Sequence, residues 1–245
     1  MLDRKIAPEI KQISTVNLIQ AEKQNLANGL PLYSINAGSQ DLVKIKWMFD
    51  AGSKFEKQKL TAQAANSLLK EGTSKLKSAE IAELLDYYGA FLETECNKDK
   101  AHLTLYSLNK HLPHVLPVME DILKNAIFPK HEFEVYKQNS KQKLLVNNQK
   151  VDVLARNHFN ELVFGKAHPY GSIAEAAHYD SLNLQEVKEF YKKYYVASNC
   201  KIMVAGLVKE ESKNLINSYF GKEWNEGSIE FPELISTAKI QQRQN

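Results

Sequence analysis

Leu60-Thr61-Ala62-Gln63-Ala64-Ala65-Asn66-Ser67-Leu68-Leu69-Lys70-Glu71-Gly72-Thr73 has the spacing of a helix closed by a glycine. Ala62, Ala65, Leu68 and Leu69 recur at three- and four-residue intervals and so share one apolar face. Gly72 stands where a C-terminal cap belongs. Gln63, Asn66 and Ser67 stand at i, i+3 and i+4, which predicts a second, polar face on the same helix.

Upstream, Asn28-Gly29 marks a tight turn, and residues 30–36 and 42–50 alternate as strands do, with Val43, Ile45, Trp47 and Phe49 on one side. Ala37-Gly38-Ser39 lies between them, so the pair reads as a hairpin that leads through Ala51-Gly52-Ser53 into the helix. Downstream, a helix is expected from Ser78, with Ile81, Leu84, Leu85 and Tyr88 as its stripe and Gly89 as its end. Residues 90–96 and 101–108 read as two strands around Asn97-Lys98-Asp99. Helical period returns over residues 111–126, and Phe128-Pro129 breaks it. Two further helices are expected over 131–148 and 151–164, then a loop through Gly171. Asn183, followed by Glu186 at the third helical position, caps another helix carrying Val187, Phe190, Tyr191 and Tyr194. A strand over 199–206 and a helix over 210–220 close the pattern. Residues 1–24 are expected to form an arm on the surface, and 225–245 have the polar composition of a linker. Hairpins separated by runs of helices give an α+β fold, a mainly antiparallel mixed sheet packed against helices.

Of the 245 residues, 43% are hydrophobic and 25% charged, an ordinary globular balance. A net charge of +3, carried by scattered lysines, argues against a nucleic-acid partner. The two cysteines, Cys96 and Cys200, have no metal or redox spacing and read as buried free thiols of a reducing compartment. Met1-Leu2-Asp3-Arg4-Lys5 lacks the apolar core of a signal peptide, and no apolar run approaches membrane-spanning length. A soluble cytoplasmic protein without a membrane partner is expected.

The Gln63 helix resembles the metal-binding helix of the pitrilysin or insulinase family of zinc peptidases, which includes the mitochondrial processing peptidases. That family's motif is H-x-x-E-H, two zinc-binding His around a Glu that acts as general base on the metal-bound water. Aligned on Gly72-Thr73, Gln63 takes the first His position, Asn66 the Glu and Ser67 the second His. An amide and a hydroxyl are poor zinc ligands beside imidazole, and an Asn amide cannot accept a proton as a carboxylate does. Asn28-Gly29-Leu30, Ala51-Gly52-Ser53, His168-Pro169-Tyr170-Gly171, Ser198-Asn199 and Tyr219-Phe220-Gly221 are similar, in order, to other short stretches of the family. The resemblance spans residues 25–224. It implies a half-chamber domain that the family usually follows with a second domain of the same fold, and no second copy of any segment appears in this chain. It also implies a third zinc ligand, a Glu from the helix over 131–148, yet no Asp or Glu stands between Val135 and Val151.

No metal or cofactor is therefore expected at Gln63, Asn66 and Ser67, and no catalytic residue is assigned. The resemblance implies a non-catalytic subunit that pairs with an active H-x-x-E-H chain of the same family and helps enclose or position peptide substrate. One alternative is an active zinc peptidase whose ligands are His102, His111 and His114 with Glu93 or Glu95. Another is a purely structural scaffold subunit. His158 reads as a hydrogen-bonded residue at the core edge, and His168 and His178 as turn-stabilising. Phe190, Tyr191, Tyr194 and Tyr195 read as core packing.

Overall fold

A computed structural model describes residues 18–225. Among them a six-stranded sheet runs in the order β1-β2-β6-β3-β5-β4. The strands are β1 (Glu22–Asn25), β2 (Pro31–Asn36), β3 (Leu42–Phe49), β4 (Phe91–Cys96), β5 (Ala101–Leu108) and β6 (Cys200–Gly206). The helices are α1 (Thr61–Leu68), α2 (Ser78–Tyr87), α3 (Leu112–Lys124), α4 (Lys130–Asn147), α5 (Val151–Phe164), α6 (Ala176–Ser181), α7 (Leu184–Tyr194) and α8 (Glu210–Phe220). All pairings are antiparallel except β2 with β6, so the sheet is mixed and mainly antiparallel, as expected.

Alternation explains the layers. Val43, Ile45, Trp47 and Phe49 are fully buried on one face of β3, while Lys44, Lys46 and Met48 stay half-buried on the other. Register then aligns the buried set across strands: Leu32 lies opposite Ile202, Ile202 opposite Trp47, and Trp47 opposite Leu103. Helices seal this row, with the Phe220 ring of α8 centred 5.0 Å from Trp47 and Tyr195, just past α7, 4.7 Å from Phe49. Leu112, Val115, Leu116, Met119, Ile122 and Leu123 of α3 are all buried, as their period predicts.

The expected hairpin of β2 and β3 is not formed. β6 lies between them, parallel to β2 and antiparallel to β3. Residues 37–41 wrap around the end of β6, where the Gly206 carbonyl accepts the N–H groups of Ala37 (3.0 Å) and Gly38 (2.9 Å). Gly206 has φ +122, and a Cβ there would lie 2.3 Å from the Leu42 carbonyl oxygen. Alternation assigns faces but not neighbours, which is why the sequence left this open.

Three boundaries also differ. Residues 22–24 of the expected arm, with Asn25, form the exposed edge strand β1; residues 1–17, and the expected linker beyond residue 225, lie outside the described residues. Lys77 rather than Ser78 is the N-cap of α2, and its N–H donates to Glu80 (2.7 Å). Gly72 is not a left-handed cap. A 3₁₀ turn, Leu69–Glu71, follows α1, and Gly72 adopts φ 150, ψ 141, pressed so close to Pro129 that a Cβ would meet its ring at 2.9 Å. Gly89, by contrast, ends α2 as expected: at φ 59 its N–H reaches the Asp86 carbonyl and the Ala90 N–H reaches that of Leu85.

The two glycines separate backbone strain from collision. Gly89→Ala, with no atom within 4 Å of the added Cβ, should lower stability by about 1 kcal/mol. Gly206→Ala should cost roughly 3 kcal/mol or more, since the strand end must also move. Urea unfolding of both variants measures the difference, and equal losses would contradict the wrapped β2–β3 link.

Candidate functional site

Helix α1 packs against β4 and β5 on one side and α7 on the other. Its entry depends on a residue that sequence reading missed. Leu60 takes φ 73, and the Glu56 carboxylate accepts the N–H groups of Leu60 and Ala62, both at 3.0 Å. Burial pushes the Glu56 pKa above the ordinary carboxylate value, against the opposing pull of these two N–H groups. The signal available in the sequence was an acid shortly before the helix, a common N-terminal feature.

The three motif positions do not form one polar face. Ala62, Ala64, Ala65, Leu68 and Leu69 are buried, and so is Asn66, at 1% exposure. Its Oδ1 accepts the Tyr195 hydroxyl at 3.0 Å, and its Nδ2 donates to the His102 carbonyl at 3.4 Å. Tyr195 is itself buried, and desolvation pushes its phenol well above the ordinary value. The residue read as plain core packing is therefore the partner of the central motif position. Ser67 is half-buried beside Tyr136 of α4, whose buried hydroxyl is flanked by Ser67 and Ser140 without full hydrogen-bond geometry to either. Only Gln63 is exposed.

This donor set does not fit zinc. It offers two amides, hydroxyls and a phenol raised by burial, where zinc takes imidazole, thiolate or carboxylate. Cys96 is near, but burial pushes its thiol to about 12, so it is not a thiolate. Among the described residues no group of three or more His, Cys, Asp or Glu is placed to hold a metal ion. In particular, His102 pairs with Glu95 (Nε2 to Oε2, 2.8 Å), whereas His111 and His114 pack on Tyr88 at ring distances of 5.4 and 4.7 Å. The structure does not bring these histidines together.

Gln63 opens into a cavity of about 760 Å³ between the start of α1, the β4–β5 turn and the loop after α5. That loop carries His168-Pro169-Tyr170-Gly171, and it is held down by the turn. The Tyr170 hydroxyl donates to Asp99 (2.6 Å), as does Lys54 (2.6 Å), and Lys98 Nζ donates to the carbonyls of Pro169 (2.9 Å) and Ser172 (3.3 Å). These two donors hold the Asp99 carboxyl below its usual range. His168 accepts the Tyr170 N–H through Nδ1 (3.2 Å) and His178 that of Glu175 (2.8 Å), the turn-stabilising roles expected of them. His158 is instead exposed on α5, because α5 buries none of its residues.

Strand β4 is the outer strand on this side of the sheet and ends at the cavity with Cys96. Its Phe91, Glu93 and Glu95 are exposed, and Leu92, Thr94 and Cys96 point to the α1 side. Among the described residues no strand pairs with the outer edge of β4, which runs beside the motif helix.

Tyr195→Phe should cost about 1–2 kcal/mol by leaving a buried amide oxygen without its donor. Asn66→Asp should cost more, and increasingly so from pH 5 to pH 8. A buried carboxyl titrates above its unfolded value of about 3.9, so the folded state loses stability as pH rises through that window. Thermal unfolding at the two pH values checks both, and a pH-independent Asn66→Asp would mean that this position is open to water.

Comparison with known proteins agrees with this frame. Residues 32–175, more than half the chain, match the family model "Insulinase (Peptidase family M16)", and residues 181–243 match "Peptidase M16 inactive domain". Subunit 1 of the mitochondrial cytochrome b-c1 complex of Caenorhabditis elegans is 21% identical over 221 residues, covering 89% of this chain and 47% of that protein. Mitochondrial-processing peptidase subunit alpha-1 of Dictyostelium discoideum is 24% identical over 212 residues, covering 82% of this chain and 31% of that one. The crystal structure of a peptidase M16 inactive domain from Pseudomonas fluorescens shares the fold with a TM-score of 0.78 at 19% identity, covering 88% of this chain and 54% of the other. The chain spans about half the length, or less, of these relatives. On the family model and the sheet, helices and motif position that fit it, this chain belongs to the insulinase, or M16, peptidase family.

Proposed function

We propose that this chain is a non-catalytic M16 domain that pairs with an active H-x-x-E-H subunit and helps to hold peptide substrate for it. The observation that carries the reading is Asn66. At the position of the general base stands an amide with its oxygen and nitrogen both engaged, 1% exposed, and unable to take a proton from water. Substrate handling needs no metal. The outer edge of β4 can pair with an extended peptide through its backbone, and the adjoining cavity can receive a side chain. Pairing is supported by the relatives, which are named as subunits of larger assemblies. It is also supported by the surface of α4 and α5, where Val146, Val151, Leu154, Phe159, Leu162 and Val163 are exposed, Leu162 at 86%. We assign this apolar surface to the partner. The free thiols of Cys96 and Cys200 suit the reducing cytoplasm proposed for it.

The same apolar surface favours a second reading, a scaffold subunit that anchors an assembly without touching substrate. Peptide binding by the isolated chain separates the two.

Capture of the tagged chain from its native lysate should bring down a chain with an intact H-x-x-E-H motif. Chelator-sensitive peptide cleavage is expected in that complex and not in this chain alone. Phe159→Asp with Leu162→Asp should weaken capture about tenfold or more, the value of one or two lost apolar contacts. Turnover by the purified chain alone would overturn the non-catalytic assignment.

The motif can also be rebuilt. Gln63→His, Asn66→Glu and Ser67→His together should give weak zinc binding and no cleavage, because two imidazoles on one helical turn leave a site short of ligands. Among positions on α4, Tyr136, whose hydroxyl lies beside Ser67, and Ser140, beside that same hydroxyl, are chosen for the missing carboxylate. Tyr136→Glu or Ser140→Glu should raise zinc affinity at least about tenfold over the triple variant, and Asn147→Glu should not. Calorimetric zinc titration reads this, and tight binding by the triple variant alone would reveal a further ligand.

A further inference from the structure

We infer that the cavity beside Gln63 is a carboxylate pocket that receives an acidic side chain of a peptide lying along β4. This rests on the peptide-holding reading above and adds the chemistry that the site selects.

Among the described residues five cationic side chains line the cavity: Lys54, Lys57, Lys59, Lys98 and Arg156. Against them stands one acidic lining residue, Glu56, whose oxygens accept the N–H groups of Leu60 and Ala62 and whose charge faces Lys98 and Lys59. Lys54 is neutralised by Asp99 at 2.6 Å, and Arg156 stands 3.7 Å from the exposed Asp152. Lys59 and Lys98 are anchored differently. Lys59 donates to the Ile173 carbonyl (3.0 Å), and Lys98 to those of Pro169 and Ser172. Carbonyls orient an ammonium without cancelling its charge. Each ammonium also has three N–H groups, so Lys98 keeps one and Lys59 two for a further acceptor. Burial lowers the Lys98 pKa most, the Glu56 charge pulls it up and the Lys59 charge pushes it down, so these two ammonium groups share one nearby carboxylate. A second anion would balance the positive charge that remains.

The rest of the lining suits the stem of such a side chain, with Leu60, Ala167, Pro169 and Ala174 as apolar walls. Strand geometry supplies the aim. In a peptide paired to the β4 edge, successive side chains alternate between faces. Those lying beside Thr94 and Cys96 point to the α1 side and into the cavity. Those beside Glu93 and Glu95 point to the opposite face, so these two carboxylates do not meet the pocket.

The test uses ten-residue strand-forming peptides, acetylated and amidated, with Glu, Gln or Lys at one central position, and a fourth with Gln there and a free C-terminus. Binding to this chain is read by fluorescence anisotropy. At low salt the Glu peptide should bind about tenfold more tightly than the Gln peptide, with Lys weakest. The preference should collapse near 1 M salt, where the screening length is about 3 Å. Lys57→Gln with Arg156→Gln, both exposed residues, should shrink the preference without touching the fold. Lys59→Gln, checked by circular dichroism, should shrink it further. Equal binding of Glu and Gln peptides would overturn the pocket while leaving peptide holding intact. Binding of no peptide would overturn both. If only the free C-terminus confers tight binding, the pocket reads a chain end, and the side-chain assignment falls.

Discussion

Everything in this domain hangs on one row of side chains across the sheet. Leu32, Ile202, Trp47 and Leu103, each at 0% exposure, stand abreast on adjacent strands and present a continuous apolar ridge to the helices. Burial of this much apolar surface on one face fixes register, because a slip of a single residue would turn the whole row outward and bring lysines in. It also decides where α1 sits. A helix of small residues can approach the sheet closely, and α1, with Ala62, Ala64 and Ala65 all buried, does so beside β4 and β5.

That closeness changes the meaning of the central motif residue. In a helix enclosed this far, a group at position 66 must be satisfied by protein rather than by water. An amide meets the requirement through Tyr195 and the His102 carbonyl, and it ties the end of α7 to the motif helix as it does so. A carboxylate at this place would need a cation or a metal to compensate its burial, and among the described residues no group of three or more metal-ligating side chains is placed to hold one. The position is part of the core, with both polar atoms of Asn66 satisfied from within the protein.

Much of this was legible in the sequence. Faces of strands and helices follow from period, and β2 to β6, the α3 stripe and the Asn183 cap, whose Oδ1 takes the Gln185 N–H at 2.8 Å, came out close to the reading. The scattered family-like stretches were legible as an ordered set, and the structure shows what several of them hold. Asn28 donates to the Phe220 carbonyl of another such stretch, Asn199 to the Asp50 carbonyl, and Tyr170 to Asp99. Such contacts join residues far apart in the chain, and no local pattern announces them. For the same reason the Asn66–Tyr195 bond, across 129 residues, and the insertion of β6 between β2 and β3 were not legible. A pattern of period two says which side chains face inward and is silent about which strand lies alongside.

The place of β6 bears on how the chain assembles. The strand at the centre of the sheet is made of residues 200–206, and both of its neighbours come from the first fifty. Until it arrives, β2 and β3 each keep an unpaired edge, and the ridge of buried side chains is split by a gap one strand wide. Closing that gap joins segments more than 150 residues apart, a contact order that makes for slow folding. During synthesis the growing chain therefore carries two adhesive edges for most of its length, which is the state that holding chaperones recognise and in which unguarded chains aggregate.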